Sequence, residues 1–358
     1  MITSSRFASS RSDWVIPHRL RNLMMGALVV LLPMSLTACA STSRSTIAST
    51  VAPKNCSGKT GMTNGGSPPP TEQLSCYLTT SLDLPAVPDL SSSIPSLSSS
   101  AADGLKNINS ACYSEAADPP IPADASSLCA AGNVSSARTV FLFGDSQAAM
   151  WQPAFDAIGK DLAFKVIFLG KPGCSPWVHP TGIGDPGCND FVQREIQFAN
   201  QIHPVLSIPI GMTIGWGNNK FPTQAQLVGE MQKTFNLLEQ GDGKSATISI
   251  IPQFDPGVTT TTPQICLTTH ASDAAPCESL LWTDYHSNPR NLALASATRS
   301  TGAHEIQSDQ FFCSGRKCAT FVQASDGVHL VYQDGQHMNI SYSAWVSKAL
   351  ESEIAPLL

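Results

Sequence analysis

Apolar residues along this chain fall into two kinds of stretch. Ala303–Gln307 reads as a short strand, and Thr139–Phe143, Lys165–Leu169, Leu206–Ile214 and Thr247–Ile251 are short runs rich in Val, Ile, Leu and Phe. That is the pattern of strands buried on both faces. Between them lie longer stretches in which apolar residues recur at helical spacing. Gln147–Lys160 carries Met150, Trp151, Phe155 and Ile158 in this way. Asp190–Gln201, Thr223–Gln240 and Arg290–Arg299 also read as helices, with Gly241 as a stop signal, and Ile340–Leu350 reads as the closing helix. Strand–helix alternation predicts a three-layer α/β/α domain around a mostly parallel five-stranded sheet, joined by right-handed crossovers. In open sheets of this kind, chemistry gathers beyond the carboxyl ends of the strands.

The first third of the chain breaks this pattern. Arg11, Arg19 and Arg21 precede Leu23–Leu32, an apolar core shorter than the ~20 residues of a spanning helix. Leu36-Thr37-Ala38-Cys39 follows. A basic start, a short apolar core and small residues before a cysteine predict a lipoprotein signal peptide over 1–38. Cys39 is then the lipidated residue that holds an exported domain at a bacterial membrane surface. A plain signal peptide that happens to contain a cysteine is the other reading. Residues 39–105 are dense in Ser, Thr, Pro and Gly and are expected to form an extended tether, with Cys56 and Cys76 closing a small loop inside it. The globular domain is then expected over 106–358.

Composition narrows the function classes. Eleven cysteines are present; without Cys39 the number is even, which in an exported chain predicts disulfides. Sequence alone does not dictate their connectivity, but pairing of consecutive cysteines is expected because short loops lose least entropy on closure. The net charge of −6 and the absence of a basic run argue against a nucleic-acid partner. No Cys-x-x-Cys occurs, and His203, His270, His286 and His304 lack ligand spacing, so neither a metal nor another cofactor is expected.

One apolar run ends abruptly. Val140–Met150 reads VFLFGDSQAAM, so Ser146 falls just past a strand, at the sheet edge where nucleophiles sit. A serine hydroxyl needs a base within hydrogen-bond reach and a group that orients the base. Two Asp-x-x-His pairs could supply them, Asp326–His329 and Asp334–His337. His329 lies in an alternating stretch that reads as a strand, whereas His337 lies in a loop before a helix, the better place for a base. Each residue also has a plainer reading. Asp-Ser before an apolar-periodic run is good helix-capping chemistry, and Gly173 could simply permit a turn.

These motifs resemble the SGNH (GDSL-like) hydrolases, closest to the SGNH domains attached to membrane O-acyltransferases of the acyltransferase-three family. GDSQAAMWQPAF, KPGCSPW, CNDF, CSGRKC and VYQDGQHMNISYSAW occur here in the family's order. The resemblance implies Ser146 as nucleophile, His337 as base and Asp334 as its partner. It also implies backbone N–H groups of Ser146 and Gly173 as oxyanion donors. For the third donor GWGNN offers Asn218 or Asn219, or Trp216 in its stead. Gln147 stands where relatives often carry histidine. The implied activity is acyl-ester chemistry on envelope glycans, as O-acetyltransferase or acetylesterase, through an acyl-serine. The implied partners are an ester or acetylated glycan and a separate membrane acyltransferase. A non-catalytic glycan-binding or scaffolding lipoprotein is the rival from a different class.

Overall fold

The computed structural model describes residues 56, 69–105, 108–179, 186–212, 222–241, 243–255, 261–280 and 285–358. Its strands are Ala130–Gly132 (β1), Thr139–Gly144 (β2), Lys165–Gly170 (β3), Leu206–Ile210 (β4), Lys244–Ile248 (β5) and His304–Ile306 (β6). They form one six-stranded sheet in the order β1-β3-β2-β4-β5-β6. β2 pairs in parallel with β3 on one side and β4 on the other, so that Val140 lies opposite both Val166 and Leu206. The β4–β5 and β5–β6 pairs are also parallel.

The five strands expected from the sequence are therefore present and parallel, and β1 is an addition. It pairs antiparallel on the outer edge of β3. Its sequence, Ala-Ala-Gly, has too few side chains to leave a periodic signal. β5 starts three residues earlier than the apolar run suggests. Ile250 is buried, but its N–H bonds the Asn291 side chain at 3.1 Å rather than a strand.

Helices cover both faces. They are Thr71–Leu82 (α1), Ser146–Ala149 (α2), Gln152–Asp161 (α3), Pro186–Ile202 (α4), Gln224–Leu238 (α5), Pro289–Thr301 (α6), Ile340–Trp345 (α7) and Ser347–Ile354 (α8). Alternate residues of the central strands serve opposite faces, as a pleat requires. Phe141, Phe143, Ile167 and Leu169 pack with Val192 and Ile196 of α4. Val140, Leu142, Val166 and Phe168 pack with Phe155 and Ile158 of α3, Tyr342 of α7 and Leu350 of α8. Each such side chain contributes about 1.5–3 kcal/mol when fully buried. The helix expected over 147–160 is broken at Met150–Trp151. Pro153 lacks the N–H that would continue the ladder and its ring crowds the preceding turn. α5 opens with a capping box between Thr223 and Gln226.

The tether expected over 39–105 does not extend to 105. α1 buries Leu74, Tyr77 and Leu78 in the main core. Further on, the Ile94 N–H donates to Val328 and the Leu330 N–H donates back to Ile94, so the segment adds an edge to the hairpin Phe321–Ala324 (β7) and Gly327–Leu330 (β8). Average composition concealed Leu74, Tyr77 and Leu78, apolar residues set at helical spacing on the face that also buries Ser81. Residues 1–55, including the expected signal peptide and Cys39, lie outside the described residues.

The cysteines pair consecutively: Cys56–Cys76, Cys112–Cys129, Cys174–Cys188, Cys266–Cys277 and Cys313–Cys318. The first ties residue 56 to α1, and the third ties Cys174, next to Gly173, to α4.

Candidate active site

β2 ends at Gly144, where the chain must turn sharply beside β4. Gly144 has φ of 139°, and a Cβ there would meet the Ile210 carbonyl oxygen at 1.9 Å. Only glycine fits. Asp145 then caps α2. One carboxylate oxygen accepts the Gln147 N–H at 2.8 Å and the other accepts the Met212 N–H at 2.7 Å. This buried side chain thus fastens the turn carrying Ser146 to the end of β4. Burial outweighs the two N–H bonds and the charges of His337 and Arg290, which pull the other way, and leaves its pKa raised to about 7. Sequence reading gave Asp145 no role beyond its place in the motif.

The loop between β8 and α7 brings His337 to this turn. His337 Nε2 stands 2.8 Å from Ser146 Oγ. On its other side His337 Nδ1 lies 2.9 Å from Asp334 Oδ2. An ionised carboxylate only accepts, so Nδ1 carries the proton and donates, leaving Nε2 to accept from the serine hydroxyl. Asp334 Oδ1 also accepts the N–H groups of Gln336 at 2.7 Å and His337 at 2.8 Å. Burial pushes the Asp334 carboxyl up, but the bonds from the His337 ring and these two N–H groups outweigh it and hold it below its ordinary 3.8.

The loop is fixed from two directions. Gln147, fully buried beside the serine, donates its side-chain N–H to the Gln336 carbonyl at 2.9 Å. From the other direction, the Asp103 carbonyl accepts the Ile340 N–H and its carboxylate accepts the Ser341 N–H at 3.0 Å. The Ala101 carbonyl accepts from the Gln333 side chain at 3.3 Å. These braces come from the region that looked like a tether, and no sequence motif marks them.

The rival pair is built differently. His329 Nε2, not Nδ1, meets Asp326 at 3.0 Å. The His329 ring stacks on Trp345 with centroids 4.1 Å apart, and Trp345 Nε1 donates to Asp326 Oδ2 at 3.2 Å. His329 Nδ1 is buried without a partner among the described residues.

Ser146, Asp334 and His337 open onto a cleft of about 610 Å³, also lined by Pro172 and Gln333. Its remaining lining comes from one stretch before β1: Leu105, Ile108, Ser110, Tyr113, Ser114 and Glu115. Gly173 lies in the turn after β3, next to Pro172, with φ of 70°. Asn218, Asn219 and Trp216 lie outside the described residues. The arrangement can move a proton from Ser146 to His337 and hold the resulting imidazolium against Asp334.

Comparison with known proteins follows this geometry. No curated protein matches the chain. Among solved structures, the periplasmic domain of a lipopolysaccharide acetyltransferase from Salmonella ser. Paratyphi A is similar at 11% identity, over 61% of this chain and 84% of that one, with a TM-score of 0.49. TesA is similar at 13% identity over 62% of this chain and 100% of that one, with a TM-score of 0.34. A GDSL-like lipase from Parabacteroides merdae is similar at 9% identity over 62% of this chain and 97% of that one, with a TM-score of 0.35. The family model described as SGNH domain (fused to AT3 domains) matches residues 111–352, about two thirds of the chain, and the protein belongs to that SGNH family.

Proposed function

We propose that this protein is an exported serine acyl-ester enzyme, anchored by lipid on Cys39 at the extracytoplasmic face of a bacterial membrane. It acts on O-acetylated envelope glycans as an acetyltransferase or acetylesterase. The observation that carries the reading is the 2.8 Å contact between His337 Nε2 and Ser146 Oγ, with Asp334 on the far nitrogen. Membership in the SGNH family supports an acyl-ester kind of chemistry.

In this mechanism His337 takes the Ser146 proton as Oγ attacks the ester carbonyl. Asp334 keeps the ring in the required tautomer and stabilises the imidazolium. The N–H groups of Ser146 and Gly173, with Asn218 as third donor, hold the oxyanion; one such donor is worth about 10²–10³ in rate. His337 then returns the proton to the leaving alcohol, and an acyl-serine remains. Water or a glycan hydroxyl, deprotonated in turn by His337, resolves it. A separate membrane acyltransferase supplies the acyl group in the transfer direction.

A serine-directed fluorophosphonate probe tests the reading. Expected is labelling of the wild type that disappears in Ser146→Ala. Folded wild-type protein that takes no label overturns the enzyme and leaves a binding lipoprotein. Incubation with an acetyl donor and cell-wall oligosaccharide separates the two activities: acetylated oligosaccharide marks the transferase, free acetate alone the esterase.

A further inference from the structure

The cleft is far larger than an acetyl group needs. At about 610 Å³ it falls in the range of roughly 300–1,000 Å³ that holds drug-sized molecules. Most of that space must serve the alcohol side of an ester, or a longer acyl chain. The lining distinguishes the two. A long acyl chain calls for a dry apolar slot. Here Leu105, Ile108 and Pro172 supply apolar surface, while Ser110, Glu115 and Gln333 bring polar groups into the same space. A sugar ring, with apolar C–H faces and a rim of hydroxyls, matches that mixture.

Tyr113 is the central group of this wall. Its ring packs against Phe168 with centroids 6.0 Å apart. Burial, aided by the charges of Asp145 and Glu115, pushes its hydroxyl well above the ordinary 10.0, so it stays protonated and able to donate. No described residue accepts from it. A tyrosine offers ring surface and one polar tip together, with little rotamer freedom to lose.

The wall is also rigid before any ligand arrives. The Gly170 N–H donates to the Cys112 carbonyl at 2.8 Å and the Ser114 N–H donates back to the Gly170 carbonyl at 3.2 Å. Cys112 is tied to Cys129 by a disulfide. Buried Lys171 donates to the Ala116 carbonyl at 2.6 Å. A surface held this way needs little ordering on binding.

We propose that Leu105 and residues 108–115 form the alcohol-side subsite of the cleft, which seats a sugar ring next to Ser146 with Tyr113 as stacking surface and hydrogen-bond donor. The proposal rests on the acyl-ester reading and deepens it by assigning the sugar to this wall.

Binding tests it without requiring turnover. Full-length Ser146→Ala protein is titrated with a panel of acetylated pentose and hexose oligosaccharides, followed by ligand-observed NMR. Expected is binding that weakens about tenfold with Tyr113→Ala added and about threefold with Tyr113→Phe, the size of a lost aromatic contact or hydrogen bond. Near-wild-type melting of Tyr113→Phe keeps the result interpretable if the alanine variant misfolds. Absence of binding across the panel, or binding that ignores both substitutions, overturns the subsite. In turnover, kcat/KM for an acetylated sugar relative to p-nitrophenyl acetate falls about tenfold in Tyr113→Ala. A preference for p-nitrophenyl octanoate that Tyr113→Ala abolishes assigns the wall to an acyl chain and also overturns it. Fluorophosphonate labelling reports the acyl-ester reading separately, so either idea can fail alone.

Discussion

Asp326–His329 and Asp334–His337 share one spacing and sit eight residues apart, yet the fold uses them for opposite ends. In the first pair the histidine is on β8, 2% exposed, with Nε2 turned to its aspartate and its ring flat on Trp345. In the second it is on a loop, with Nδ1 turned to its aspartate and Nε2 free to meet Ser146. The backbone makes the difference. In the first pair Asp326 sits in the turn that opens β8, and His329 stands opposite Val322 on that strand with its far ring nitrogen toward the carboxylate. On the 333–337 loop, Asp334 first binds two backbone N–H groups, which holds its carboxylate against the near ring nitrogen. Identical residues at identical spacing thus give a packing cluster in one place and a contact with Ser146 in the other.

The largest expected break of this comparison is in rate. His337→Ala lowers acyl-ester turnover by about 10⁴-fold or more. His329→Ala, assayed where it is folded, lowers it by less than about tenfold. Steady-state kinetics on a small ester checks both, and equal losses would mean that His329 belongs to the chemistry.

The aspartates sharpen the contrast. Asp334→Asn drops kcat by about 10³–10⁴-fold, because the amide cannot enforce the Nδ1–H tautomer. Asp326→Asn changes kcat by no more than about threefold and lowers the melting temperature instead, as expected of a side chain that only packs and accepts bonds. A pair of kcat values and a pair of melting curves decide it.

The smallest expected effect is on pH dependence. Burial, opposed by the bond to Asp326, holds His329 below its ordinary 6.5. The unfolded chain binds that proton first as pH falls, so the contribution of neutral His329 is full above 6.5 and declines below it. His329→Phe keeps a ring on Trp345 and removes the proton site. Its melting temperature is expected to fall less than that of the wild type between about pH 7.5 and about pH 5. Parallel falls would show that His329 stays neutral, or charged, in both states.

Legibility followed locality. Four of the five parallel strands could be read because each is a short apolar run, and the Ser146 turn because Gly-Asp-Ser follows one directly. Consecutive cysteine pairing was legible because loop-closure entropy depends on separation along the chain. The edge strand β1 was not, having almost no side chains. The break before α3 was visible in Pro153 only as a local flaw in an otherwise continuous stripe. The 69–105 segment misled because Ser and Pro dominated its composition while three apolar residues, Leu74, Tyr77 and Leu78, decided its fate.

By itself, the sequence determined the strand–helix order, the residue types needed for nucleophile, base and orienting acid, and an even set of cysteines. Each is a property of short windows, set by side-chain periodicity and intrinsic chemistry. Only the tertiary structure decided which histidine reaches Ser146, that Asp145 ties the Ser146 turn to β4, and that residues 100–105 and 108–115 brace the His337 loop and wall the cleft. Those outcomes depend on distant segments meeting, as Ser100 and Asn339, 239 positions apart, do. Such meetings are fixed by how the helices and strands pack as whole bodies, which no local window of residues encodes.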